Sequence, residues 1–155
     1  MGRPTVKGHA AASEHRKRRN RAVTDETRIL AGYRLQRAEE ALKEAELLFG
    51  GGHVNTFVNR LYYACFYAVS ALLLLEGKSS SKHSGVRALF HQGFVRTGVF
   101  SKDSGQFYDR LFDNRQKADY ADLVAFAEED VAPWLPQARD FVSAARAEAE
   151  RRMNS

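Results

Sequence analysis

Cysteine is nearly absent from the chain, which has one, Cys65, among 155 residues. A single thiol cannot form an internal disulfide or a multi-cysteine metal site, so we predict neither a disulfide framework nor a bound metal, and no cofactor. Cys65 lies inside an apolar stretch and is predicted to be a small core residue. Because a chain without disulfides suits a reducing compartment, we expect the protein to be cytoplasmic.

A segment long enough to cross a bilayer is also lacking. The most apolar stretch, residues 61–75 with the sequence LYYACFYAVSALLLL, has fifteen residues. A transmembrane helix needs about 18 or more. The N-terminal region has no uninterrupted apolar segment of the kind found in signal peptides, so we expect no membrane partner. Strand-like alternation, internal repeats and a glycine-rich phosphate loop are likewise missing.

The apolar stretch instead predicts the centre of a helical fold. Ser70 is its only polar residue, so a helix here has no solvent face and must be surrounded by other helices. Gly77 follows it as a C-terminal cap would. Amphipathic segments flank it, and we predict an all-α, up-and-down bundle of four to five helices. The expected helices cover about residues 25–48, 55–76, 84–96 and 103–118, with Ser84 and Ser101 as N-caps, and a last segment that runs from near Pro133 toward Arg151.

Positive charge is concentrated near the N-terminus. The net charge is +5, and residues 15–21, HRKRRNR, contain five arginine and lysine side chains. Residues 1–23 show no apolar periodicity, so we predict a disordered basic tail at 1–23 and a helical bundle at 24–152. Such a tail either binds polyanions by counterion release or only keeps the protein soluble. Its candidate nucleic-acid contacts are Arg16, Lys17, Arg18 and Arg19.

Four residues of the central helix form a polar stripe. Arg60, Tyr63, Tyr67 and Ser70 are spaced by three or four positions and so share one face. Buried phenol, hydroxyl and guanidinium groups need hydrogen-bonding partners. The partners are either neighbouring helices or a second subunit, or the stripe lines a cleft for a nucleotide or phosphate.

Arg115 is in phase with the apolar face of its predicted helix, four positions after Leu111 and seven after Tyr108. An arginine at the edge of a core keeps its charge and therefore requires an anion. Asp119, at i+4, is one candidate, and a phosphate is the other.

Five short motifs occur in this order along the chain: RLYYACFYA at 60–68, ALL at 71–73, KHSGV at 82–86, FVRTG at 94–98 and RQKADY at 115–120. In this combination the chain resembles the HEPN domain family over about residues 28–150. The branch it resembles is a small prokaryotic one with an Ala-Asp-Tyr signature. The resemblance implies a HEPN-like helical bundle that forms homodimers. It also implies a partner, since many members act with a minimal nucleotidyltransferase as a toxin and antitoxin pair.

Active members of that family are metal-independent RNases whose motif is an arginine, a polar residue and, further on, a histidine. By resemblance Arg115 and Gln116 match the first two positions, but the fifth position after the arginine is Tyr120, preceded by Asp119. Histidine suits proton transfer because its pKa is about 6.5, whereas the pKa values of aspartate, about 3.9, and tyrosine, about 10, are far from neutrality. Arg115, Asp119 and Tyr120 are therefore the candidate catalytic residues of an endoribonuclease with weak or no activity.

Two further histidines are candidate proton-transfer groups. His83 lies beside Lys82 in a motif of the resemblance, and contacts a phosphate or caps the next helix. His91 is expected to be a partly exposed helical residue. Neither has a carboxylate at a sequence spacing that indicates an oriented base.

The leading hypothesis is a cytoplasmic, toxin-like HEPN protein that binds RNA or nucleotide near Arg115. The alternative is a non-catalytic module for dimerisation or for holding a nucleotidyltransferase, and a third possibility is that the tail alone binds nucleic acid. The candidate RNA-binding or nucleotide-binding residues in the bundle are Arg60, Tyr63, Tyr67, Lys82 and His83.

Overall fold

The computed structural model describes residues 23–119 and 126–155. Its helices are α1 (Asp25–Gly50), α2 (Val54–Leu75), α3 (His83–Phe90), α4 (Lys102–Ala118), α5 (Glu128–Val131) and α6 (Trp134–Met153), with a π-helical segment at His91–Val95. Five of the helices have eight or more residues, and these ranges contain no strand, which confirms the predicted all-α fold. Tyr120 and the basic residues Arg16, Lys17, Arg18 and Arg19 lie outside the described ranges.

Helix α2 is the centre of the bundle, as predicted from residues 61–75. It packs against α1, α3, α4 and α6, and thirteen of its side chains are buried. The expectation that no segment is long enough to cross a bilayer is wrong for α2, whose 22 residues are long and apolar enough by length and composition alone. However, 67% of its most apolar 18-residue window is buried by the other helices, as is usual for the core helix of a globular domain.

The end of α2 is set by Gly77. Its φ of 71° lies in the left-handed region, which favours glycine. In this conformation the Gly77 N–H donates to the Leu74 carbonyl at 2.9 Å, and the Lys78 N–H donates to the Leu73 carbonyl at 2.8 Å. These bonds pair carbonyls of the last helical turn, and they confirm the predicted C-cap.

The start of α3 differs from the prediction. The helix begins at His83, so Ser84 is its second residue and not its N-cap. Lys82 takes the N-cap position with extended backbone, and its N–H donates to Ser80 Oγ at 3.2 Å. The serine that accepts a backbone hydrogen bond at this helix start is therefore Ser80, in the loop before α3, and not Ser84. The other predicted cap is confirmed, because Ser101 Oγ accepts from the Ser104 N–H at 3.1 Å.

Aromatic packing fixes α3 against the rest of the bundle. The Phe90 ring, fully buried, lies 5.2 Å from the Tyr108 ring of α4 and 5.6 Å from the Phe141 ring of α6, measured between centroids. Phe94 and Phe100 extend this cluster. Because α3 is held at its C-terminal end by these contacts, its first residue, His83, has a defined place beside α2 and α4.

The last helix starts later than the acidic residues near position 128. A short helix, α5, contains them, and Pro133 then serves as the N-cap of α6. Helix α6 therefore begins near Pro133, as predicted, and Pro136 lies in its first turn, where a proline is tolerated because its missing N–H would have no intrahelical partner.

Candidate functional site

Tyr62 is the residue around which polar groups from α2, α3 and α4 meet. Its side chain is fully buried. The Tyr62 hydroxyl is 2.7 Å from Nδ1 of His83, and the Cζ atom of Arg115 lies 5.0 Å from the Tyr62 ring centroid. We name Asn59, Tyr62, His83, Arg115 and Asp119 the Tyr62 site.

Arg115 is held in this site with part of its hydrogen-bonding capacity unused. Its side chain is only 14% exposed, and its NH1 lies 3.7 Å from Oδ2 of Asp119. The two groups form an ion pair at this distance, but it is too long for a good hydrogen bond. Nε of Arg115 is buried and has no hydrogen-bond partner among the described residues. Asp119, one of the two candidate anions, is therefore paired with Arg115, and Nε is left without a partner among the described residues.

Asp119 is anchored from the other side by a chain of polar contacts. Its Oδ1 accepts from Nδ2 of Asn59 at 3.1 Å. The Asn59 Oδ1 in turn accepts from Nε and NH2 of Arg60 at 3.3 and 3.1 Å, and Arg60 NH1 lies 3.4 Å from a Glu44 carboxylate oxygen. The end of α4 is thus tied to the start of α2 and to α1.

His83 is half-buried against aromatic rings. Its ring centroid lies 4.6 Å from that of Phe66 and 5.9 Å from that of Tyr63. Burial and the nearby Arg115 guanidinium hold the pKa of His83 below its usual value, and Asp119 opposes them. Burial also raises the pKa of Tyr62 to about 12. At neutral pH the site therefore pairs a neutral imidazole with a neutral phenol.

A second arginine lies next to the Tyr62 site. The Cζ atom of Arg87 is 4.1 Å from the Phe112 ring centroid, and Phe112 packs edge-on against Tyr62 at 6.1 Å. Arg87 NH1 is 3.7 Å from an oxygen of Asp113, again a loose ion pair. Sequence reasoning missed Arg87, Asn59 and Tyr62. The i+4 spacing of Arg87 from His83 could have placed both on one face of α3.

The polar stripe of α2 is only partly connected with this site. Arg60 lies over the Tyr63 ring at 5.1 Å, whereas Tyr67 lies under Arg37 of α1 at 5.2 Å. Ser70 is buried, and its Oγ has no hydrogen-bond partner in the described part of the chain. The stripe therefore borders the Tyr62 site at Arg60 and Tyr63 and contacts α1 at Tyr67. Lys82 is exposed beside His83.

His91 has a carboxylate partner that sequence spacing did not indicate. Its Nε2 lies 2.9 Å from Oδ1 of Asp109. Sequence spacing could not indicate this partner, because the contact joins the π-helical segment to α4 across eighteen positions. Within residues 23–119 and 126–155, no group of three or more His, Cys, Asp or Glu side chains could hold a metal ion.

Comparison with known proteins identifies the family of this chain. The HEPN domain model matches residues 31–151. The chain belongs to the HEPN domain family. A UPF0332 protein of Thermotoga maritima is 47% identical over 122 residues, which are 79% of this chain and 92% of that relative. Two proteins of Methanocaldococcus jannaschii carry the name "putative toxin": one is 34% identical over 123 residues, 79% of this chain and 88% of the relative, and the other 29% over 109 residues, 70% and 74%.

The HEPN match contains the whole Tyr62 site, from Asn59 to Asp119, and leaves out the basic run at residues 15–21. The polar site is thus part of the HEPN domain itself. The RQKADY segment contributes Arg115 and Asp119 to it, and the KHSGV segment contributes His83.

Proposed function

We propose that this HEPN protein is toxin-like and binds RNA at the Tyr62 site, with Arg115 contacting a backbone phosphate. The observation that carries the proposal is the state of Arg115, which is 14% exposed, has an unpartnered Nε among the described residues and forms only a 3.7 Å ion pair. A phosphate accepts two parallel hydrogen bonds from a guanidinium, which a distant carboxylate does not. The names of the two archaeal relatives support the toxin-like part.

The neighbouring side chains favour RNA as the ligand. Lys82, which precedes α3, and Arg87, within it, add positive charge where a second and third phosphate of the same strand would lie. Tyr63 and Phe66 are half-buried rings next to His83, and such rings stack on the unpaired bases of single-stranded RNA.

The rest of the proposal concerns assembly and location. The protein acts in the cytoplasm as a homodimer, together with a minimal nucleotidyltransferase that silences it. Ile29, Leu30 and Tyr33 support self-association, because they are 73%, 42% and 63% exposed on adjacent turns of α1. Arg16, Lys17, Arg18 and Arg19 add sequence-independent attraction for the same RNA.

A second candidate function is a non-catalytic module for dimerisation or for holding the nucleotidyltransferase. The contacts Asn59 to Asp119 and Asp119 to Arg115 favour it, because they tie the ends of two helices together. In this alternative Arg115 is a structural residue and carries no ligand.

The test is the affinity of a fluorescent single-stranded RNA for the full-length protein at two salt concentrations. Arg115→Gln should weaken binding by about tenfold or more and lower the salt slope by about one. Arg139→Gln is the matched control, because Arg139 pairs with Glu46 on the surface between α6 and α1. It should leave binding within about twofold, since its ion pair is exposed.

The outcomes separate the two functions. If Arg115→Gln stays folded and loses RNA affinity, the RNA-binding function is supported. If Arg115→Ala unfolds or dissociates the protein while Arg115→Lys restores it, and RNA affinity follows only the folded fraction, the structural module is supported. Replacing all four basic residues 16–19 by glutamine measures the share of the tail. If that variant alone abolishes binding, the site does not bind RNA.

A further inference from the structure

We infer that His83 is the catalytic base of an RNA-cleaving reaction at the Tyr62 site, in the place of the histidine that the RQKADY segment lacks. This inference rests on the proposed binding of RNA there. It adds a reaction and names the residue that performs it.

The first argument is the position of the two ends of the His83 imidazole. Nδ1 is 2.7 Å from the Tyr62 hydroxyl, and Tyr62 is fully buried, so one edge of the ring is fixed. Nε2 makes no hydrogen bond to any described residue, and His83 is only half-buried, so a ligand can approach this side chain. In the tautomer with Nδ1–H, that group donates to the Tyr62 oxygen and leaves a lone pair on Nε2. A histidine oriented through one nitrogen and free at the other has the geometry of a general base.

The second argument is the shared contact with Tyr62. The His83 and Arg115 side chains both pack on this one residue, with the imidazole centroid 5.7 Å and the guanidinium carbon 5.0 Å from the Tyr62 ring centroid. The cation that would bind the phosphate is therefore a neighbour of the imidazole. After burial, the Arg115 guanidinium is the second cause that lowers the pKa of His83. A histidine that is neutral at pH 7 is in the form that accepts a proton.

Asp119 completes the electrostatics of the proton transfer. Its carboxylate acts on His83 in the opposite direction to Arg115 and favours the charged imidazole. The imidazolium that forms during the reaction is thus stabilised by a group that is already in place. Asn59 holds that carboxylate at 3.1 Å, which limits its freedom to move toward the phosphate.

The reaction that these groups support is transesterification within RNA. Nε2 of His83 removes the proton of a ribose 2′-hydroxyl, and the 2′-oxygen forms a bond to the adjacent phosphorus. The bond from phosphorus to the 5′-oxygen of the next nucleotide breaks, and that oxygen takes a proton from water. The imidazolium then returns its proton to the resulting hydroxide. Arg115 stabilises the negative charge on the phosphate oxygens, and the products are a 2′,3′-cyclic phosphate and a 5′-hydroxyl.

The experiment measures cleavage of a single-stranded RNA by the full-length protein in EDTA. Affinity is measured separately with a DNA strand of the same sequence, which has no 2′-hydroxyl and therefore cannot be cleaved by this reaction. His83→Asn removes Nε2 but keeps an amide near Nδ1 for Tyr62 to bond. The wild type should release cyclic-phosphate ends, and His83→Asn should lower the rate by about 100-fold or more. Its affinity should change by less than about threefold, because the phosphate contact remains.

His53→Asn is the matched control, since His53 is exposed at the start of α2 and its side chain makes no capping bond. It should cleave as the wild type does. Tyr62→Phe tests the positioning residue. Without the hydroxyl the His83 ring is no longer oriented, so the cleavage rate should fall and the acid limb of its pH profile should shift, with binding retained.

Three results are distinguishable. If the folded wild type binds RNA through Arg115 but does not cleave it, or if His83→Asn cleaves at the wild-type rate, the inference is wrong while the proposed function stands. If Arg115→Gln leaves both binding and cleavage unchanged, the proposed function and the inference are wrong together. Loss of cleavage in His83→Asn with unchanged binding supports both.

Discussion

Gly85 controls the close approach between the loop before α3 and the first turn of that helix. A Cβ atom added at Gly85 would lie 2.0 Å from Oγ and 2.8 Å from Cβ of Ser80. Real Cβ contacts are essentially never shorter than 3.0 Å, so the Ser80 backbone must move to make room. Because Lys82 donates to Ser80 Oγ at 3.2 Å, that movement also displaces the residue before His83.

The size of the effect follows from two opposing terms. Overpacking of this kind costs about 1–3 kcal/mol, whereas replacing glycine by alanine in a helix gains at most about 1 kcal/mol. We therefore expect Gly85→Ala to lower the free energy of unfolding by about 1–2 kcal/mol. In a domain of this size each kcal/mol lowers Tm by about 2–4 °C. The RNA-cleavage rate should also fall, since His83 moves with the loop.

Urea unfolding of a double-mutant cycle with Ser80→Gly measures this coupling. Once Ser80 has no side chain, Gly85→Ala should be neutral or slightly stabilising, which gives a coupling energy of about 1–3 kcal/mol. Gly32→Ala in α1 is the control, because a Cβ at Gly32 has nothing within 4 Å. It should stabilise by about 0.5–1 kcal/mol. A Gly85→Ala protein as stable as Gly32→Ala, with no effect of Ser80, would refute the reasoning.

Three further predictions use buried or partly buried polar groups. NMR titration should give His83 a pKa below its usual value, higher in Arg115→Gln and lower in Asp119→Asn, because Arg115 lowers and Asp119 raises it. Ser70→Ala should leave the free energy of unfolding unchanged or raise it by about 1 kcal/mol, because the Ser70 hydroxyl is buried without a partner in the described part. Cys65, fully buried and with its pKa raised by burial, should react with a thiol reagent only as fast as the protein opens.

Each of these has a result that counts against it. The groups facing His83 are Tyr62 and Tyr63 from α2 and the Arg115 and Asp119 pair from α4. Because the pKa of His83 is lowered in the folded protein, its contribution to the free energy of unfolding is present above about pH 6.5 and is lost as the pH falls through the folded-state pKa. A free energy of unfolding that rises as His83 becomes protonated would contradict the assignment.

For the serine substitution, a loss above about 1 kcal/mol would mean that the hydroxyl has a hydrogen-bond partner. For the thiol, rapid labelling in native buffer with no acceleration by urea would show an accessible site.

The fold was predictable because its main signals are local in sequence. Residues 61–75 have no polar face, and Gly77 follows at the distance of a helix cap, so the central helix and its end could be identified without a structure. The phase of Arg115 with Leu111 likewise predicted its place at the edge of the core.

The parts that were missed depend on contacts between segments distant in sequence. Ser84 has the right residue type for an N-cap, but it is Ser80 Oγ that accepts from the Lys82 N–H just before α3. Asp109 meets His91 only because α4 packs against the π-helical segment. Tyr62 and Tyr63 are adjacent residues of the same type, so the sequence does not distinguish them. Only the packing of α3 shows that Tyr62 contacts both His83 and Arg115.

The most direct test of the central claim is the NMR signal of the Arg115 guanidinium during titration with a short single-stranded RNA. The Nε–H of Arg115 has no partner among the described residues of the free protein, so phosphate binding should shift its signal in a saturable way. Our account predicts that the dissociation constant from this shift equals the one from RNA anisotropy, and that the signals of Arg139 do not move. RNA that binds with full affinity while the Arg115 signal stays unchanged would contradict it.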